Sequence, residues 1–334
     1  MNIFVCHTVA QYYFAKSLSV GPVTGPSMFI LEGIQFLSQA RDPILEKNHK
    51  FFIETSDSSY SNHTSEQIYR HVITLLDSGE ELNIYVSDIV WRSCNILFFR
   101  LSNDSRVTFH GFSDGCLTLY SRKISMRVFL RMLAKKLLYL LGLGMRYYPF
   151  LGYQDGRDRT QMREILVPPK FAKNSLNQTK KFKTVNLQCD QKYRPKDGRA
   201  LFVGTSYLSE NVSDEEYTHW FNLQLGTHLR DKTVIYRPHP FSKVRLIKRL
   251  LSGHIHEINA PFPAEILIPK LRVKHVYGVD STVLFSAKSV WGEAVDCTCL
   301  LDEFYIRRHA DTKFPTADEL RMKHRFGIST PYFP

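Results

Sequence analysis

Short apolar runs alternate with amphipathic stretches along most of the chain, and this alternation limits the possible folds more than any other feature. Asn2 to Cys6, Met28 to Leu31, Phe51 to Glu54, Asn83 to Val86 and Arg106 to His110 are rich in Phe, Ile and Val and read as buried strands. Between them, Ser65 to Leu76 carries apolar residues at 68, 72, 75 and 76, one face of a helix, and opens on a Ser with Glu66 in its first turn. The pattern resumes with a strand at Ala200 to Gly204, a helix at Glu215 to Leu229, a strand at Thr233 to Tyr236, a basic helix at Val244 to Leu251 and a strand at His275 to Val279. Strands alternating with helices predict parallel α/β sheets. The 334 residues have room for two such domains of about 150 residues each. The expected division is 1–166 for the first, 167–199 for a polar, lysine-rich linker opening on Pro168-Pro169, and 200–334 for the second.

Composition excludes several classes. Hydrophobic residues at 43% and charged residues at 23% suit a folded globular chain and not a disordered one. The six cysteines, at 6, 94, 116, 189, 297 and 299, contain no Cys-x-x-Cys pair and read as reduced core thiols. The opening Met1-Asn2-Ile3-Phe4-Val5-Cys6-His7 has neither the basic nor the apolar region of a signal peptide, so a cytoplasmic protein is expected.

The net charge of +12 is concentrated in two segments. Residues 122–148 hold seven Lys or Arg and no acid, and residues 168–200 hold nine against Asp190 and Asp197; each nets +7, leaving about −2 for the remainder. Met126 to Met145 is the most hydrophobic stretch, but Arg131, Lys135 and Lys136 interrupt it too often for a bilayer span. Arg127, Arg131 and Lys135 recur at i, i+4 and i+8, one stripe of a helix. Two accounts fit: an interfacial helix on anionic lipid, or a mostly buried helix with a solvated stripe, the plainer of the two.

Five short motifs can carry chemistry. Tyr236-Arg237-Pro238-His239-Pro240 follows a strand, at the carboxyl end where open α/β sheets hold ligands, and its prolines restrict Arg237 and His239 to extended backbone. Such a His can serve as acid or phosphate donor; alternatively the prolines only end a strand. Val279-Asp280-Ser281-Thr282 places two hydroxyls where a helix begins, and free backbone N–H groups with the positive dipole end bind phosphate there, although Ser and Thr are also ordinary helix caps. Phe112-Ser113-Asp114-Gly115 follows another strand, so Asp114 can act as general base, or simply occupy an Asp-Gly turn. Gln154-Asp155-Gly156 has the same form without a clear strand before it. Glu265, in Pro261-Phe262-Pro263-Ala264-Glu265, is either a ribose-binding carboxylate or a first-turn helix residue. His254 and His256 share a strand face but lack a third metal ligand, and no glycine-rich phosphate loop or Asp-x-Asp metal motif is present.

The order of these motifs, Asp114-Gly115, then His239-Pro240, then Ser281-Thr282, resembles that of bacterial CMP-sialic acid-dependent sialyltransferases of the lipooligosaccharide and capsule type. Pro263-Ala264-Glu265 is similar to the segment that holds the nucleoside in that group, and the first strand with His7-Thr8-Val9-Ala10-Gln11 is similar to the family's opening. One departure is Ser113, where the family's motif has a second acid.

The resemblance implies a GT-B fold, two Rossmann-like domains facing a central cleft, with acceptor binding in the first and nucleotide-sugar binding in the second. It also implies inverting transfer of sialic acid from CMP-sialic acid to a galactose or sialic acid hydroxyl of a bacterial surface glycan, with no cofactor or metal. In that scheme Asp114 is the base, supported by Ser113 and Gly115. His239 serves the leaving phosphate, Arg237, Pro238, Pro240, Ser281 and Thr282 line the donor site, and Glu265 holds the ribose. The family's acceptors imply an anionic membrane surface, met through Arg127, Arg131, Lys135 and the lysines of 170–183. A donor such as CMP-Kdo or another nonulosonic acid fits the same motifs. A different class, a nucleic-acid-binding α/β protein, would need aromatics clustered beside the cations, and Phe171, Phe182 and Tyr193 are sparse.

Overall fold

A computed structural model describes residues 1–32, 49–54, 62–113, 123–143, 146–175, 179–186, 193–204, 213–238, 255–258, 264–279, 281–302 and 317–332. They form two compact units, Met1–Gln188 and Cys189–Pro334.

The first unit is built on β1 (Asn2–Cys6), β2 (Ser27–Glu32), β3 (His49–Glu54), β4 (Leu82–Val86), β5 (Val107–Phe112), β6 (Met162–Val167) and β7 (Phe182–Thr184), with helices α1 (Val9–Val20), α2 (Asn62–Asp77), α3 (Arg92–Leu101), α4 (Met126–Leu140) and α5 (Pro169–Asn174). The strands make one sheet in the order β3-β2-β1-β4-β5-β6-β7, and every pairing is parallel. Covered sheets of this kind need apolar side chains on both faces, which is why β1 and β2 are buried at every residue. Register sets Phe4 opposite Phe29 and Tyr85, and Tyr85 opposite His110. The rings stack across four strands with centroids 5.2, 4.5 and 4.7 Å apart. The ladder ends in polar contacts, with His110 Nδ1 3.2 Å from Glu164 and Nε2 3.4 Å from Asn83. Burial lowers the His110 pKa below 6.5, against the opposing pull of Glu164.

The second unit comprises β8 (Lys196–Val203), β9 (Thr233–Arg237), β10 (Ile255–Glu257), β11 (Val273–Gly278) and β12 (Asp296–Cys299), with α6 (Asp214–His228), α7 (Ala264–Lys270), α8 (Thr282–Trp291) and α9 (Ala317–Phe326). Its parallel sheet runs β10-β9-β8-β11-β12, the 3-2-1-4-5 order of a doubly wound nucleotide-binding domain. Phe202, Phe221 and Tyr236 pack edge to face and tilted at its centre.

Three expectations change. The linker expected at 167–199 is instead occupied by α5, by β7, which pairs with β6 of the first sheet, and by the start of β8. Its polar composition reflects an edge strand, where Lys183 pairs with Glu164 at 3.3 Å and charge discourages further pairing. The mostly buried account of Met126 to Met145 also fails: along α4 only Met132 is buried, and Leu140 and Leu143 are 67% and 76% exposed. Hydrophobicity marked the helix as apolar but not as covered. Of the lysines expected at lipid, Lys181 donates to the Arg159 carbonyl and Lys183 is the Glu164 partner, so both serve the sheet edge. The expected helix at 244–251 lies outside the described residues. The four described cysteines, Cys6, Cys94, Cys297 and Cys299, are buried and in the thiol form.

Candidate functional site

Each sheet changes direction of chain order once, between β1 and β4 in the first unit and between β8 and β11 in the second, and ligands of doubly wound folds bind at the carboxyl ends of the strands there. In the second unit the β8 and β9 ends are joined by Gly204 N–H donating to the Arg237 carbonyl at 2.8 Å. A Cβ on Gly278 would stand 3.3 Å from Ser281 Cβ and 3.6 Å from the Val203 carbonyl, so the missing side chain lets the turn into α8 close against the end of β8. Ser281 caps α8, its hydroxyl oxygen accepting from Val283 N–H at 3.3 Å. That bond uses a lone pair and leaves the hydroxyl hydrogen free to donate. Thr282 follows, exposed, at the positive end of the helix.

Arg237 and Pro238, at the end of β9, are half-buried. Burial lowers the Arg237 pKa, and among the described residues no carboxylate pairs with the guanidinium. A partly desolvated cation with no counter-ion is suited to an anion. Glu265 lies in the first turn of α7, the helical account of that residue. Burial pushes its carboxyl up, with a hydrogen bond from Ser286 on α8 acting in the opposite direction. Arg237, Pro238, Glu265, Ser281 and Thr282 therefore all belong to the carboxyl-end loops or the helices that follow them. His239 and Pro240 lie outside the described residues.

In the first unit, Gly111 packs against Ile165, which a Cβ would approach to 2.8 Å, and Ser113 N–H donates to the Leu166 carbonyl at 3.0 Å. Pairing with β6 thus continues one residue past β5, and Asp114 comes next in the chain; Asp114 and Gly115 lie outside the described residues. Asp155, the weaker Asp-Gly candidate, is buried in an ion pair with Arg157 and serves structure.

The same edge holds a cluster that sequence reading missed. His7 Nε2 lies 2.9 Å from Glu32 Oε2 and 3.0 Å from Ser93 Oγ, and Ser93 also donates to Glu32. The imidazole stacks on Trp91 at 4.6 Å. Burial pushes the Glu32 carboxyl up, but the bonds from His7 and Ser93 and the nearby Arg92 outweigh it and hold the pKa below 4.5. These residues come from the ends of β1 and β2 and the start of α3, so no local spacing signals them.

Among the described residues no group of three or more His, Cys, Asp or Glu side chains is placed to hold a metal ion, and no helix is long and apolar enough to cross a membrane. Phe171 is buried, Phe182 lies under Arg157 at 4.9 Å, and the Tyr193 hydroxyl donates to the Val273 carbonyl. These aromatics are packed into the units and do not form a stacking platform for nucleic acid.

Residues 34–295, most of the chain, match the family model Alpha-2,8-polysialyltransferase (POLYST). The chain belongs to the alpha-2,8-polysialyltransferase family. Among solved structures it is similar to a Listeria monocytogenes protein assigned as a UDP-N-acetylglucosamine 2-epimerase, at 12% identity and TM-score 0.53, over 90% of this chain and 78% of that one. It is also similar to spinosyn rhamnosyltransferase complexed with thymidine diphosphate, at 10% identity and TM-score 0.48, over 98% and 85%, and to Escherichia coli heptosyltransferase, at 12%, 0.38, 91% and 89%. At 12% identity the likeness to the Listeria protein speaks for the fold alone. No match is found among curated proteins. This polysialyltransferase-family chain has the GT-B fold and is a glycosyltransferase of the sialyl-transferring type.

Proposed function

We propose that this chain moves sialic acid from CMP-sialic acid to a sialic acid or galactose hydroxyl at the end of a surface glycan, in one displacement that inverts the anomeric centre. The observation that supports the donor side is the half-buried Arg237, without a carboxylate partner among the described residues, at the same sheet edge as the α8 N-terminus with Ser281 and Thr282. Together with His239 they supply enough positive potential to hold a nucleotide phosphate without a metal clamp. In the step itself Asp114 takes the proton of the acceptor hydroxyl. The freed oxygen bonds to the anomeric carbon as the carbon–phosphate oxygen bond breaks. His239 donates to the departing CMP, and Glu265 accepts from the ribose hydroxyls.

Calorimetric titration with CMP in EDTA tests the donor side. Binding that His239→Ala and Ser281→Ala both weaken, together with an Asp114→Ala variant that binds CMP but transfers nothing, is the expected result. Absence of CMP binding overturns the reading.

The reading includes a membrane surface. α4 exposes Met126, Leu130, Leu137, Leu138 and Leu140 together with Arg127, Arg131, Lys135 and Lys136, and carries no acid. An apolar face flanked only by cations matches an anionic bilayer, where each cation adds about 1 kcal/mol.

A further inference from the structure

Positive charge gathers where the strands of the second unit begin, at the sheet edge opposite the donor loops. Lys196 N–H donates to the Arg272 carbonyl, Arg272 Nε to the Arg194 carbonyl and Arg199 Nη1 to the Leu271 carbonyl, each at 2.9 Å, so the approaches to β8 and β11 are tied together. Arg199 pairs in register with Thr233, which brings Lys232 alongside. Burial lowers the His275 pKa, and the charges of Lys232 and Lys274 lower it further, which puts both lysines near that ring. Arg194, Lys196 and Arg272 are exposed, and Arg199, Lys232 and Lys274 are partly so. Among the described residues only Lys274 of these six pairs with an acid, Asp296 at 3.7 Å; the bonds of Arg199, Lys232 and Arg272 go to carbonyls, which leave the charge uncancelled.

Arg272 is also the one non-glycine residue among those described with a positive φ, 54°. Left-handed backbone crowds a Cβ, and Gly or Asn suits such a turn better than an arginine does. An arginine kept in a strained turn points to its side chain as the reason. The surroundings narrow the partner to a polyanion without rings or an apolar tail. No large apolar side chain is exposed on residues 193–199, 230–233 or 270–274, so this edge has nothing to insert into lipid, in contrast to α4. Tyr193, the ring on these turns, packs against Trp291 at 5.8 Å with its hydroxyl on the Val273 carbonyl, so a nucleic-acid base has no ring to stack on there. A chain of sialic acids, one carboxylate per sugar, meets both conditions.

We propose that Arg194, Lys196, Arg199, Lys232, Arg272 and Lys274 form an exosite that holds an anionic sialic acid chain at the amino edge of the second sheet, away from its reacting end. The proposal rests on the sialyltransferase reading and adds a second contact for the acceptor. β11, six residues long, separates this edge from the donor loops by about 20 Å. Only a chain of several sugars reaches from one to the other, so the exosite makes affinity depend on acceptor length.

Steady-state transfer from CMP-sialic acid to short and long oligosialic acids, with CMP calorimetry alongside, tests it on the full chain. In wild type the long chains have the lower KM, and the advantage shrinks as salt rises. Arg194→Glu with Lys196→Glu raises the long-chain KM about ten-fold and leaves the short-chain KM and CMP affinity at wild-type values. Arg272→Asn, which suits the left-handed turn, melts level with wild type or higher and still raises the long-chain KM. Variants that keep the wild-type long-chain KM, or that raise both KM values equally, overturn the exosite alone. Variants that lose only duplex DNA or anionic vesicles assign the edge to those partners and overturn it as well. A wild type that does not bind CMP overturns the sialyltransferase reading and the exosite with it.

Discussion

Gly278 stands against Ser281 so closely that a Cβ there would meet the serine's own Cβ at 3.3 Å. The cap of α8 and the end of β8 are therefore held together by an absent side chain. Gly278→Val pushes Ser281 away from the strand edge, and CMP affinity is expected to fall about ten-fold or more, the scale of one charge-assisted contact. Calorimetry on Gly278→Val and Gly278→Ala measures this, and equal affinity in all three proteins removes Ser281 from the donor site.

Arg237 has no carboxylate partner among the described residues, so folding gains little from its charge. Arg237→Ala is expected to melt within a few degrees of wild type and to lose about ten-fold or more in CMP binding. Arg237→Lys recovers only part of it, because a lysine lacks the planar fork. A large loss of stability with unchanged CMP affinity makes the residue structural.

Exposure along α4 predicts a surface effect without a folding effect. Leu137 and Leu140 are 54% and 67% exposed. Leu137→Glu with Leu140→Glu is expected to leave melting unchanged and to abolish flotation with vesicles containing anionic lipid, while wild type floats at low salt and is released at high salt. Equal flotation with neutral and anionic vesicles removes the electrostatic part of the docking.

His110 gives the first unit a defined acid sensitivity. Burial holds its folded pKa below 6.5, so the unfolded chain binds the proton more readily. The neutral histidine's contribution is complete above 6.5 and is lost as pH falls through the lower folded value. Denaturant midpoints between pH 7.5 and 5 are expected to drop more steeply in wild type than in His110→Phe, and parallel curves contradict it.

Local periodicity made the sheets legible where strands are internal and uniformly apolar. β1, β2 and β4 stood out because both faces are covered. β12, Asp-Cys-Thr-Cys, and edge strand β7, Phe-Lys-Thr, lack an apolar run and were missed. α3 also escaped, since seven of its ten residues are buried and two of those, Ser93 and Asn95, are polar, so the buried side does not read as an apolar stripe. Ser281 was legible because capping is a local rule. The His7, Glu32 and Ser93 cluster was not, because its members are 25 and 61 residues apart in sequence and meet only through the sheet order.

That order also bears on how the molecule is made. β1 and β8 each leave the ribosome first in their unit, yet each ends in the middle of its sheet, paired on both sides. β1 has one neighbour within reach once β2 is synthesised but waits until residue 86 for the other, and β8 waits likewise for β11. Long-range parallel pairing of this kind is slow. During translation, then, the central strand of each unit is the one with an open edge, and the nascent chain is most in need of protection before its fourth strand arrives.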